Sequence, residues 1–298
     1  MERGFAVRWD ATFAEPACAT AAQAAAVLLV NLAQHVDRAG WVAAEQELLV
    51  CDQVVRLRFD PVARSLDVTG APWTAPDAAP APPDLWAQLG AETQRGPWSP
   101  TDLTRLWAGV GALDEAEREL LWGATWERHT GNRLDRGMGM VTNRSRPPTL
   151  VIAFTDGALS GETWRDALLG GHTLVQETVV HELGHVVSYA PFRQSVLRRR
   201  ARRHDPSLAP CPETTYLRTP VLEAYERVAA GAVSPTEYGR KDLGEGFAEA
   251  FALWKLHPDW LAVAWPDVFT WFEGGGHLAW RTDPAWAACG AGDRPTGP

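Results

Sequence analysis

Residues 178–187 read Thr178-Val-Val-His181-Glu182-Leu-Gly-His185-Val-Val187. On a helix, positions i and i+4 share one face, so this spacing sets His181 and His185 one above the other with Glu182 beside them. Two imidazoles placed in this way bind one Zn2+ through bonds of about 2.0–2.1 Å. Zinc lowers the pKa of its water to about 7, which lets a neighbouring carboxylate take the proton. That is the role the HExxH pattern gives Glu182, which acts beside the ligands rather than as one of them. Val179, Val180, Leu183, Val186 and Val187 are apolar, and Glu182 is the single formal charge in 178–187. Burying two His and a Glu in such a helix is unfavourable unless they are paired or hold a metal. The competing reading is an accidental HExxH on a surface helix, and the apolar flanks argue against it.

Hydrolytic zinc sites use three protein ligands and keep a further position open. Val-Val-Ser-Tyr-Ala-Pro follows His185, so the HExxHxxGxxH extension is missing, and no Cys lies near a suitable motif. Downstream, the segment Tyr238-Gly-Arg-Lys-Asp-Leu-Gly-Glu245-Gly-Phe-Ala-Glu249-Ala-Phe251 puts Glu245 and Glu249 at i and i+4. One carboxylate can then reach a metal while the other, a turn later, supports a ligand. Phe247 and Phe251 form an apolar pair, and Ala248, Ala250 and Ala252 allow close helix packing. Two blander readings compete: a capping box with Asp242 as N-cap and Glu245 at N3, or two solvated helix carboxylates.

With HExGH at 181–185 and YGR-(x)4-E-x-FAEAF from Tyr238 onward, residues 149–260 resemble the gluzincin-type peptidases related to the anthrax lethal factor catalytic domain. The resemblance implies an α+β, zincin-like fold, Zn2+ as the metal and a peptide or protein as substrate. It also implies Glu245 as third ligand, Tyr238 as the phenol that stabilises the oxyanion or protonates the leaving amine, and Glu249 as a group supporting the ligands. Such relatives include secreted or injected toxins, so a delivery module and a housekeeping peptidase both fit the chain. The segment departs from the family at Lys241, Asp242, Leu243 and Gly244, where Asn and Ala are frequent. It departs again at Gly246, a helix former poorer than Ala by about 1 kcal/mol.

Around these motifs, residues 149–154 predict a strand. It is either an edge that binds extended substrate main chain to main chain or an interior strand with no such role. A buried helix is expected over 173–189, ending before Pro191, with further helices over 219–230 and 242–254. The six Arg of 193–203 read as a solvated helix face rather than an anion site. His172 reads as a loop or capping residue, Glu177 as a weak candidate to support His181, and His204, His257 and His277 have no partner motif. Upstream, 99–130 reads as largely helical, with Ser99 as N-cap and Pro100 at the first position. Gly109 and Gly111 divide it, and Trp98, Leu103, Leu106, Trp107, Leu120, Leu121 and Trp126 are its apolar contacts. Residues 132–148 read as loop.

Residues 71–84 hold five Pro and five Ala and predict an extended linker. The chain then divides into a small α+β domain of unassigned role over 1–70, the linker, and a zincin-like domain over 85–298. Within the first unit, a strand is expected over 4–13, an Ala-rich helix over 19–38, and strands over 54–59 and 65–68 with Asp60-Pro61 at the turn.

The length of 298 residues accommodates one large or two modest domains. A net charge of −9 argues against a nucleic-acid partner. The most apolar early run, 24–33, is too short to cross a bilayer, so no membrane insertion is expected. The first residues lack a signal pattern, which makes a cytoplasmic location the default, with export by a signal-free route also compatible. Cys18, Cys51, Cys211 and Cys289 form no CxxC pair, and the reading is free thiols in a reducing compartment rather than a disulfide framework. The 15 Trp predict large aromatic packing units. Two other functions remain open at this level: a zinc-bound scaffold that does not cleave, and a partner-binding protein with an accidental HExxH. The oligomeric state is not legible in the chain.

Overall fold

The computed structural model of the protein describes residues 6–12, 19, 23, 44–50, 53–60, 63, 65–72, 80–130, 139–145, 148–160, 175–230, 234 and 238–289. Nearly all of the expected Ala-rich helix over 19–38 lies outside these residues, as do Cys18, Cys51 and His172. The described chain is mixed α and β.

A first four-stranded sheet has the order β1-β4-β3-β2. Its strands are β1 (Ala6–Asp10), β2 (Ala44–Val50), β3 (Gln53–Asp60) and β4 (Ser65–Pro72). Strands β2, β3 and β4 pair antiparallel, and β1 joins β4 in parallel. The period-2 rule explains the faces. Val55, Leu57, Leu66 and Val68 are buried, whereas the alternating Arg56, Arg58 and Thr69 are exposed. Between β3 and β4 the Asp60 carboxylate accepts a hydrogen bond from the Ala63 N–H at 2.8 Å. The strands expected over 54–59 and 65–68 are present and longer than the sequence suggested, and β4 takes up the first two residues of the expected linker. Strand β2 was not anticipated.

The second sheet has the order β5-β6-β8-β7, with β5 (Thr93–Arg95), β6 (Ala124–Arg128), β7 (Gly139–Ser145) and β8 (Pro148–Phe154). Strands β5, β6 and β8 are parallel, and β7 is antiparallel to β8. Two expectations fail here. Residues 124–128 extend as β6 rather than continuing a helix, and 139–145 form a strand rather than a loop. In both cases β8 supplies the hydrogen-bond ladder, which overrides weak local preference. Strand β8 is interior, with Leu150, Val151, Ile152, Ala153 and Phe154 all buried. Of the two readings of 149–154, the interior strand is the one observed, and β7 lies at the sheet edge beyond it.

Among the described residues, the α-helices with assigned bounds are α1 (Leu85–Gln88), α2 (Pro100–Val110), α3 (Glu115–Arg118), α4 (Asp156–Ser160), α5 (Val175–Ala201), α6 (Pro220–Val228), α7 (Leu243–Leu256), α8 (Pro258–Ala264), α9 (Pro266–Glu273) and α10 (Pro284–Ala287). Ser99 caps α2 with Pro100 at its first position, as expected, and the Asp102 carboxylate completes the capping box. The long α5 packs against β7, β8, α2 and α7, and every residue from Thr178 to Pro191 is buried.

Helix α5 does not stop before Pro191 but runs ten residues beyond it, to Ala201. An interior proline removes one backbone donor and crowds the carbonyl a turn earlier, at a cost of about 3 kcal/mol. Neighbouring carbonyls find other donors. The Thr219 hydroxyl donates to Ser188 O at 2.7 Å, and the Ser188 hydroxyl donates to His185 O at 3.1 Å. Beyond the proline, part of the expected solvated arginine face also fastens the helix. Arg193 donates to Leu120 O and Trp122 O, Arg198 to Ala209 O and Arg202 to Leu208 O. Arg199, Arg200, Arg202 and Arg203 are exposed and form the expected solvated face. No described helix is long and apolar enough to cross a membrane.

Cys211 and Cys289 form a disulfide across 78 residues, with Cα atoms 5.0 Å apart. This overturns the expectation of free thiols for these two residues. The sequence separation hid a pair that the packing of the C-terminal helices brings together. Closing so long a loop restricts the unfolded chain, an effect worth about 2–4 kcal/mol. A C211A/C289A double variant should therefore lose that much stability in urea titration; an unchanged midpoint would show that the bond adds nothing to the folded state.

Candidate metal centre

Helices α5 and α7 approach closely because Gly184 carries no side chain. A Cβ there would lie 3.0 Å from Ala248 Cα and 3.3 Å from Phe251 Cβ. Polar side chains pair down one side of this contact. Glu177 meets His257 at 2.6 Å, His181 Nδ1 meets Glu249 Oε1 at 2.8 Å, and Glu245 Oε2 lies 3.1 Å from His181 Nε2 and 3.2 Å from His185 Nε2. Partner numbers fall as the α5 numbers rise, so the two helices run antiparallel.

Local chemistry at the start of α7 frees the Glu245 carboxylate. Asp242 is the N-cap, and its side chain accepts from Glu245 N at 2.9 Å. In a capping box the N3 carboxylate would return this bond, but here it turns to the two imidazoles. Half of the capping reading therefore holds, and the other half gives way to a tertiary contact. Gly246, which departs from the family pattern, has a steric reason: a Cβ would lie 2.9 Å from Gly239 O. The Gly246 carbonyl in turn accepts from the Tyr225 hydroxyl at 2.7 Å. The short turn Tyr238–Arg240 thus packs against the first turn of α7 at Gly246. The backbone of Tyr238 is in that turn, and its side chain lies outside the described residues.

The donor atoms of His181, His185 and Glu245 all lie within 4.8 Å of one another. A tetrahedral ion with zinc-type bond lengths holds its ligand atoms about 3.3 Å apart, close to the two imidazole–carboxylate distances above. The set of two imidazoles and one carboxylate therefore fits such an ion in both chemistry and spacing. Glu249 Oε1 lies 2.8 Å from the outer nitrogen of His181, where a carboxylate can orient a ligating imidazole. His185 Nδ1 has no hydrogen-bond partner among the described residues.

Without a metal, this cluster is strongly coupled. Burial disfavours charge on His181, but its hydrogen bonds to Glu245 and Glu249, with the nearby charges of Glu249 and Glu182, outweigh that and raise its pKa to about 10. Burial also acts against charge on Glu245, yet hydrogen bonds to both imidazoles and their charges hold its carboxyl well below the usual carboxylate range. Glu182 is pushed up, mainly by burial and further by the Glu245 charge, against the pull of the two imidazoles.

Several residues stand elsewhere than the sequence suggested. Glu177 pairs with His257 and braces the α5–α7 crossing a turn before His181. His277 pairs with the buried Glu117 at 2.9 Å, and Lys255 reaches the same carboxylate at 2.7 Å. Tyr189, which sequence reasoning passed over, stacks on His185 with centroids 5.6 Å apart and planes 14° apart. The signal was present, since Tyr189 lies one helical turn beyond His185.

Comparison with family models, with curated proteins and with solved structures found no match to this chain.

Two outcomes are expected from this geometry. Metal ligation needs a neutral imidazole, whereas the Glu245 and Glu249 carboxylates beside His181 favour its protonated form when no metal is bound. Zinc binding should therefore release about one proton, and affinity should rise with pH up to roughly pH 10. Titration calorimetry in buffers of different ionisation enthalpy reads this directly, and zero proton release would contradict the pairing. Separately, Gly184→Val should force α7 away from α5, costing about 1–3 kcal/mol of stability and weakening metal binding. A variant with wild-type melting and metal affinity would rule out the close contact.

Proposed function

We propose that the chain is a zinc metallopeptidase with a zincin-like catalytic domain, in which His181, His185 and Glu245 hold the metal and Glu182 is the general base. The observation that carries this reading is the convergence of the Glu245 carboxylate on both imidazoles, with Glu182 on the same buried helix. When bound, zinc supplies Lewis-acid polarisation of the scissile carbonyl and an acidified water. Glu182 takes the proton from the attacking water and returns it to the leaving amine. Its raised pKa brings it closer to the neutral range in which a base both accepts and releases a proton. Glu249 keeps His181 oriented through Nδ1. Tyr238, by the resemblance of its segment, offers its phenol to the developing oxyanion, a contribution of about 3 kcal/mol for a donor of this type.

The second sheet supports a peptide as substrate. Among the described residues β7 pairs on one side only, and α5 lies against it. An extended chain adding to that edge would make main-chain hydrogen bonds alongside the helix that carries Glu182.

Zinc analysis combined with two variants tests the reading. The purified chain should carry about one zinc, lost in His181→Ala. Glu182→Gln should keep the metal and lower peptide hydrolysis by about 100- to 10,000-fold. A metal-free wild type, or undiminished cleavage by Glu182→Gln, would reject the mechanism.

A further inference from the structure

A tight turn presents two large apolar side chains beside the metal cluster. Thr215 and Arg218 bridge each other, with Thr215 N donating to Arg218 O at 3.4 Å and Arg218 N to Thr215 O at 3.2 Å. Tyr216 and Leu217 occupy the two central positions and are 45% and 65% exposed. Among the described residues the other exposed large hydrophobics are Val7 and Trp9, both in β1. Exposed apolar groups in adjacent positions mark a contact surface more often than isolated ones do.

The turn is anchored on both sides. Cys211, five residues before Tyr216, is tied to Cys289. Thr219, directly after Arg218, is buried, caps α6 and donates to Ser188 O of α5. The Thr214 hydroxyl also donates to Arg218 O at 2.7 Å, within the turn. A residue held this firmly has lost its conformational freedom before any ligand arrives, which favours binding by preorganisation.

The aromatic ring of Tyr216 is also continuous with the metal cluster. It lies 4.7 Å from the Tyr189 ring, which stacks on His185. Phe192 meets it edge-on at 6.5 Å. Tyr189 is itself buried, and a Cβ on Gly244 would lie 3.0 Å from its hydroxyl, so it spans from the His185 ring to the first turn of α7. Tyr216 is therefore the exposed end of a row of ring contacts whose other end is a candidate metal ligand.

We infer that Tyr216, with Leu217 beside it and Tyr189 as its support, forms a substrate subsite that selects a large apolar side chain close to the scissile bond. This rests on the peptidase reading given above. Tyr216 is the specificity residue, and Tyr189 supports its ring.

The test uses the full chain loaded with zinc and a fluorescent peptide library with one position scanned through Phe, Leu, Ser and Gly. Binding is read by anisotropy on Glu182→Gln, and cleavage by mass spectrometry with Glu182 intact. Tyr216→Ala should weaken binding of Phe and Leu peptides by roughly 10- to 100-fold, by loss of apolar contact, while Ser and Gly peptides and zinc content stay unchanged. Tyr216→Phe, which keeps the ring, should retain the preference. Equal weakening of all four peptides, no weakening, or loss of zinc from Tyr216→Ala overturns the subsite. A side-chain preference in binding without any cleavage upholds the subsite and sinks hydrolysis, whereas cleavage indifferent to the scanned side chain does the reverse.

Discussion

The contact of two antiparallel helices at Gly184 and Ala248 is the constraint on which the rest of the site depends. Only with no side chain at 184 does α7 come near enough for Glu245 to touch both imidazoles and for Glu249 to reach the far side of His181. The apolar side chains around the crossing, Val180, Leu183, Phe247 and Phe251 among them, are fully buried. Their burial favours the approach, and the pairing of Glu and His offsets the desolvation that this approach imposes on charged groups. A metal placed among the same donors would relieve that coupling further, by replacing a shared proton with a divalent charge.

Preorganisation extends outward from the crossing. Asp242 satisfies the exposed N–H of the first α7 turn, and so releases Glu245 for a tertiary role. The Tyr238–Arg240 turn and the Tyr225 hydroxyl close in behind Gly246, where any larger residue would collide with Gly239 O. The Glu177–His257 pair fixes the other end of the crossing. Side chains supported in this way do not have to be ordered when a ligand binds, which is what a precise ligand or catalytic geometry requires.

The same long helix joins the candidate centre to the exposed Tyr216 turn. Its course past Pro191 is supported by Thr219, and Thr219 in turn fixes one end of the Tyr216 turn. The Cys211–Cys289 bond fixes the other side. A proline that breaks the regular ladder, a capping threonine and a disulfide thus act together on one exposed turn.

Sequence alone determined the helix with His181, Glu182 and His185, because an i, i+4 pair on an apolar helix is a local property with a fixed period. It also indicated the second helix, the Ser99 and Asp242 caps, and the strands within 54–59, 65–68 and 149–154, each set by neighbours a few residues away. Tertiary structure decided whether Glu245 would cap its own helix or leave it for two imidazoles some 60 residues away, since both uses satisfy the same local pattern. It decided that 124–128 and 139–145 would be strands, because β8 offered a ladder that no window of either segment contains. It also decided the Cys211–Cys289 pair and the place of Tyr216, neither of which leaves a periodic trace in the chain. Contacts between residues far apart in sequence depend on how whole helices pack, and that packing is settled by the summed shape of many side chains rather than by any short run of them.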